Sequence, residues 1–169
     1  MRKPFGALFD IVPAIVPLDL QTARTGDYVS LKNAQGVAFV FFKGAGTDGD
    51  DPTFTVQQAV DVAGTSAKNL AVIDTYWEKE GTLTSVGTWT KVTQSAATSI
   101  APGDPSAQSQ AIYVWQIDAD ELDVDNGFDC VNVSCSDVGT NAQLGCALYI
   151  LYGLRNPATP ENLPNSITD

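Results

Sequence analysis

Between Asp27 and Thr93 the chain is a succession of short apolar or alternating runs, each cut off by Gly, Asp, Asn or Pro, and this spacing dictates strands. Tyr28-Val29-Ser30-Leu31-Lys32-Asn33 alternates, and Gly36-Val37-Ala38-Phe39-Val40-Phe41-Phe42 runs apolar into the glycine-rich turn at 44–51. Residues 53–56, 70–77 and 85–92 repeat the theme, as do 111–117, 128–138 and 144–154 further on. Short strands at such intervals predict an all-β chain, a β-sandwich or jelly-roll-like single domain. The run at 144–154 has the least polar alternation, which predicts a central strand covered on both faces.

The ends read differently. Residues 1–26 carry Pro13 and Pro17, which fix φ and forbid a continuing helix, yet Phe5, Leu8, Phe9, Ile11, Val12, Ile15 and Val16 are too apolar for a solvated tail. The expectation is an extended N-terminal arm that needs a groove, on its own sandwich or on a neighbouring subunit. The sandwich domain spans 27–157, and 158–169, with Pro160 and Pro164, is an extended proline-rich C-terminal tail with little packing. Residues 57–64 break the alternation and predict a short helical or turn segment. The small-residue stretch at 96–110, with Pro102-Gly103-Asp104-Pro105, predicts a long surface loop.

Composition narrows the chemistry. Charged residues are 17% of the 169, where about a quarter is usual, so part of the exterior is expected to be covered by protein instead of water. Oligomerisation or docking on a larger particle supplies such a cover. The net charge of −11 argues against direct nucleic-acid binding, which needs a basic footprint. No Lys or Arg falls between Lys91 and Arg155, while Arg2, Lys3 and Arg24 leave the N-terminal end mildly basic. With no histidine there is no Ser-His-Asp or Cys-His nucleophile, no His-ligated zinc and no imidazole switch. Cys130, Cys135 and Cys146 are odd in number and lack Cys-x-x-Cys spacing, so they are expected as free thiols packed like small hydrophobes. Asp10, Pro13, Pro17 and Asp19 interrupt the N-terminal apolar run, and no stretch is long enough to span a bilayer, so the expectation is a protein made in a cytoplasm with no membrane partner.

Four constellations invite a site. The acidic run from Asp118 through Asp120, Glu121, Asp123, Asp125 and Gly127 has part of a calcium-loop pattern, but the twelfth position from Asp123 is Ser134, so the EF-hand signature fails. A solvated acidic hairpin end and a different cation site at a loop tip both remain as readings. The glycine-rich loop at 44–51 lacks a Gly-Lys-Ser/Thr terminus, and its aspartates repel phosphate, so it reads as a turn. Trp77, Trp89 and Trp115, with Tyr76 and Tyr113, suit either a sugar-stacking platform or the sheet core, and their place in apolar strands favours the core. Carboxylates cluster at turns, not across a cleft, so no glycosidase pair and no enzyme is expected. Catalytic, cofactor-binding and metal residues are accordingly none.

One resemblance bears on function. The stretch Tyr28-Val29-Ser30-Leu31-Lys32-Asn33-Ala34, residues 39–46, Phe54-Thr55-Val56-Gln57-Gln58-Ala59 and Gly64-Thr65-Ser66-Ala67-Lys68 resemble small virion structural proteins of tailed bacteriophages, of the capsid decoration (cement) type. The strand at Trp89-Thr90 and the strand at 147–155 followed by prolines fit the same pattern, which covers residues 27–157. The resemblance implies a sandwich or jelly-roll fold, a virion location after assembly in the host cytoplasm, and a major capsid protein or other virion protein as partner. It brings no catalytic residues. A homo-oligomer is expected, a trimer at local threefold positions, with the apolar arm lying across neighbouring subunits. The competing classes are a tail, neck or baseplate component, a major capsid protein, a carbohydrate-binding sandwich and an enzyme.

Overall fold

A computed structural model of the chain describes residues 5–81, 87–102, 109–163 and 165–167. Twelve strands are present among them: β1 (Asp10–Asp19), β2 (Arg24–Thr25), β3 (Val29–Ser30), β4 (Gly36–Lys43), β5 (Phe54–Ala59), β6 (Lys68–Asn69), β7 (Ile73–Gly81), β8 (Thr90–Ala97), β9 (Ser99–Ile100), β10 (Gln110–Asp118), β11 (Cys130–Cys135) and β12 (Leu144–Tyr152). They form two antiparallel sheets. The larger is ordered β1-β12-β4-β10-β7-β8, and the smaller β2-β11-β5-β6, with β3 on β11 and β9 on β5. The inward residues of both sheets form one core, so the expected all-β sandwich is the fold.

The core is aromatic because alternate positions of β4 and β10 supply rings. Phe41 from β4 and Tyr113 and Trp115 from β10 meet Phe54 of β5 in the opposite sheet, and Phe39 of β4 is buried beside Trp115. Phe39 stacks on Trp115 with centroids 5.2 Å apart, and Tyr149 of β12 meets Phe39 edge-on at 5.5 Å. The sheets are also tied by hydrogen bonds. The fully buried Tyr149 hydroxyl accepts from the Val133 N–H of β11 (3.0 Å) and donates to the Asp27 carbonyl (2.9 Å). Gly26 passes beside that hydroxyl, and a Cβ there would lie 2.8 Å from both the Tyr149 oxygen and the Ala14 carbonyl. Tyr149→Phe therefore leaves a buried donor and a carbonyl without their partner, and we expect it to cost about 1–3 kcal/mol in denaturant unfolding. A loss near zero would mean that the hydroxyl is not what couples the sheets.

Several local expectations are revised. The N-terminal segment is extended, but it is not an arm separate from the domain: β1 is the edge strand of the larger sheet and pairs with β12 from Asp10↔Leu151 to Asp19↔Leu144. Val12, Ala14 and Ile15 are in the core. Proline lacks a ladder donor and belongs on an edge, and the register shifts beside Pro13 and before Leu18 absorb the mismatch. The C-terminal segment folds back on this edge. The Ser30 N–H donates to the Ser166 carbonyl (2.7 Å), and the Ser166 hydroxyl donates to Asp10 (2.6 Å), so the mostly exposed segment is anchored to the sandwich at Ser166. Pro164 lies outside the described residues.

Residues 57–59 continue β5 because β11 offers them a ladder, ending at Cys130↔Ala59; the turn comes afterwards, with Gly64 at φ +80°. The expected loop at 96–110 begins inside β8 and contains β9, which crosses to β5 of the other sheet. Residues 103–105 of its turn lie outside the described residues, as do 85–86 of the strand expected at 85–92. β12 is one strand in from the edge, and its burial alternates: the described residues cover one of its faces, not two.

Candidate interaction face

The half-exposed face of β12 locates the site. On the outward side of the larger sheet, cross-strand partners line up as Pro13–Leu148–Val40–Val114–Trp77–Lys91, a single row through all six strands. The adjacent row on one side is Cys146–Phe42–Ile112–Lys79, and on the other Ile11–Ile150–Ala38–Gln116. Strand geometry places these side chains together, since positions two apart share a face. Nearly all of them are apolar, although they point away from the core. Phe42 is 48% exposed, Trp77 43% and Leu148 38%. The charged groups in these rows are the lysines at the β7–β8 end.

An antiparallel sheet with one solvated face ordinarily alternates apolar-in with polar-out. β4, β10 and β12 do not. With strands about 4.8 Å apart and about 3.3 Å of rise per residue, six strands of roughly eight residues present about 600 Å² of flat area before side-chain relief. The largest apolar patch on a monomer is ordinarily about 300–600 Å² and often functional.

The N-terminal candidates divide between core and surface, and the register shift after Pro13 reverses which parity points inward. Val12 and Ile15 are buried, and Phe9 is half-buried against Phe5, with ring centroids 4.7 Å apart. Phe5, Leu8, Ile11 and Val16 are exposed. Ile11 joins the outward rows directly, whereas Phe5 and Leu8 sit in and beside the 3-10 turn at Phe5–Ala7 ahead of β1. The tryptophans divide too. Trp115 is the core residue expected of all three, but Trp77 and Trp89 are exposed and, with Val114, line a shallow trough of about 300 Å³. The Lys79 ammonium lies 5.6 Å from the centre of the Trp89 ring.

The other sequence candidates are held within the fold. Asp123 accepts from the Lys68 ammonium and from the Asn126 side chain, and these contacts hold its carboxyl below the usual range. Asp129 pairs with Lys32 (3.5 Å), and Asp118 accepts from the Tyr152 hydroxyl. Among the described residues no three carboxylates or thiols converge as a metal set. Cys130 and Cys135 are buried and form no disulfide among the described residues, burial pushing the Cys135 thiol up to about 12, and Cys146 is half-buried on the outward rows.

Two features escaped the sequence reading. The outward face was legible in principle, because Val40, Leu148, Ile150 and Val114 break polar alternation on strands that are not covered twice. The second is Lys43, whose odd-numbered position on β4 follows Phe39 and Phe41 inward. It is fully buried and donates to the Ser109 carbonyl at 2.7 Å. Burial lowers its pKa to about 8, with Glu80 and Asp51 acting in the opposite sense.

No protein-family model and no curated protein sequence matches the chain. Among solved structures it is similar to SPBc2 prophage-derived protein YomS, at 10% identity and a TM-score of 0.42, over 85% of this chain and 95% of that one. The similarity is thus to a protein of prophage origin, and no residue role is carried over from it.

Proposed function

We propose that the chain is a structural virion protein of a tailed bacteriophage, a head decoration protein that stabilises the capsid through inter-subunit contacts and has no enzymatic role. The observation that carries this reading is the second apolar face of the larger sheet, which no described strand of the chain covers. A rigid sandwich holds such a face at fixed curvature, so its side chains lose little freedom on docking. Sparse charge and a proline-bearing apolar edge strand suit the same role, with a major capsid protein or another virion protein as partner. Repetition over a shell turns modest single contacts into resistance to internal pressure.

The exposed Trp77 and Trp89 favour a second reading, a carbohydrate-binding sandwich. Sugar binding needs polar groups that fix hydroxyls beside the stacking rings. Val114 completes the trough, and the same row continues into Val40 and Leu148, which suits a protein partner better.

Co-sedimentation with particles assembled without this protein tests the proposal. Added protein is expected to pellet with shells and to raise their resistance to heat. Failure to bind shells, together with saturable binding to a glycan, would replace it with the second reading. Point substitutions are the right probes, because removing residues 1–26 deletes an edge strand and its core residues along with any docking surface.

A further inference from the structure

We infer that the outward face of the larger sheet is a self-association surface, and that its occupant is a second copy of this chain packed sheet to sheet. The inference rests on reading that face as an assembly surface; it makes the contact there one between copies of this chain and leaves contact with the shell to the remaining exposed apolar residues, such as Phe5 and Leu8 ahead of β1.

Area is the first argument. A stable interface needs about 800 Å² from each partner, and the face offers roughly 600 Å² before the relief of Trp77, Phe42 and Leu148 is added. One stacked sheet can therefore cover it, at the spacing of about 10 Å that sandwiches use.

Charge is the second. Two copies at −11 each repel over most of their surface. The three outward rows are the exception, since the charges they carry are Lys79 and Lys91 at one lateral end, and Asp118 in the next row accepts from the Tyr152 hydroxyl. The opposite end is β1, which terminates at Asp19 beside outward-facing Leu144. A two-fold axis parallel to the strands sets the lysine end of each copy over the Asp19 end of the other. That orientation pairs opposite charges twice while the apolar centre meets itself, as an isologous interface requires.

Cys146 supplies a reporter inside the interface, because it neighbours Phe42 on the outward face whereas Cys130 and Cys135 are buried in the fold.

The test is light scattering of the isolated full-length protein, with the rate of thiol labelling measured on the same samples. The wild type is expected at twice its 17.9 kDa chain mass, with Cys146 protected. Leu148→Lys is expected to halve the mass and to speed labelling while leaving the circular dichroism spectrum unchanged, since the residue is already exposed. Trp77→Ser repeats the test at the other end of the row. A wild type that is monomeric across concentration, with Cys146 labelled as fast as in the variants, overturns the inference. So does an oligomer that survives both substitutions. Monomeric protein that still pellets with shells would sink self-association and leave the decoration role standing; a dimer indifferent to shells would do the reverse.

Discussion

Trp115→Ala is expected to lower stability by about 3–5 kcal/mol, the range for emptying a large aromatic from a packed core. The ring sits at the centre of the sandwich, stacked on Phe39 at an interplanar angle of 4° and facing Phe54 of the other sheet at 6.0 Å. Rings from β4 and β5 surround the space it fills, and antiparallel ladders on both sides of β10 limit how far that space can collapse. Against a typical total of about 5–15 kcal/mol the loss is large, and at about 2–4 °C per kcal/mol it lowers the melting temperature by roughly 10 °C. Trp115→Phe separates the causes. The indole Nε1 finds no hydrogen-bond partner among the described residues. Phenylalanine removes that buried donor, worth about 1–3 kcal/mol, while keeping a ring against Phe39. The phenylalanine variant is expected to recover most of the alanine loss in denaturant melts. Equal losses in both would show that the filled volume of the indole, not aromatic packing, is what the core requires.

How far the sequence carried this fold depended on what each strand is covered by. β4, β5, β10 and β11 pack against the opposite sheet, and their periodicity made them legible from residues alone. β8 was placed early by the apolar Trp89 and Val92, but its outer half, Thr93 to Ala97, is a polar edge and reads like a loop. β1 failed in the opposite direction. Its prolines argued against ladder pairing, and only the tertiary context of an edge with register shifts makes them acceptable. The run at 144–154 predicts, by its lack of alternation, a central strand covered on both faces, whereas burial alternates along β12 and one face is covered among the described residues. The apolar outward residues were the signal of an interaction face. No single strand could reveal it, because a face becomes visible only when registers across six strands are known. Lys43 was missed for a related reason: its parity on β4 points it inward, but the expected strand stopped at Phe42.

That lysine sets the second large effect. In the folded protein the Lys43 amine releases its proton near pH 8, against an ordinary value of 10.5, because burial penalises the ammonium more than Glu80 and Asp51 favour it. Between those two pH values the unfolded chain holds a proton that the native chain has lost, so stability rises with pH over that window. Below about pH 8 both states hold the proton and the penalty is present in full. Above 10.5 neither does, and the penalty is gone. The difference corresponds to about 3 kcal/mol at about 1.4 kcal/mol per pH unit. Other groups act in the opposite sense at higher pH. Burial raises the thiols of Cys135 and Cys146 and the hydroxyls of Tyr149 and Tyr152, so above their ordinary values of 9.0 and 10.0 the unfolded chain loses protons that the native chain keeps. Wild-type stability should therefore climb from pH 8 to about 9, turn over as the two thiols outweigh the lysine, and fall more steeply above 10. Lys43→Met keeps the length of the side chain and removes the titration. Subtracting its stability from that of the wild type at each pH cancels the thiols and hydroxyls, and the difference should move by about 3 kcal/mol in favour of wild type between pH 8 and 10.5. Urea melts of the two proteins across that range are the measurement. A difference that stays flat would mean that Lys43 keeps its charge in the core, held there by Glu80 and the Ser109 carbonyl strongly enough to offset its burial.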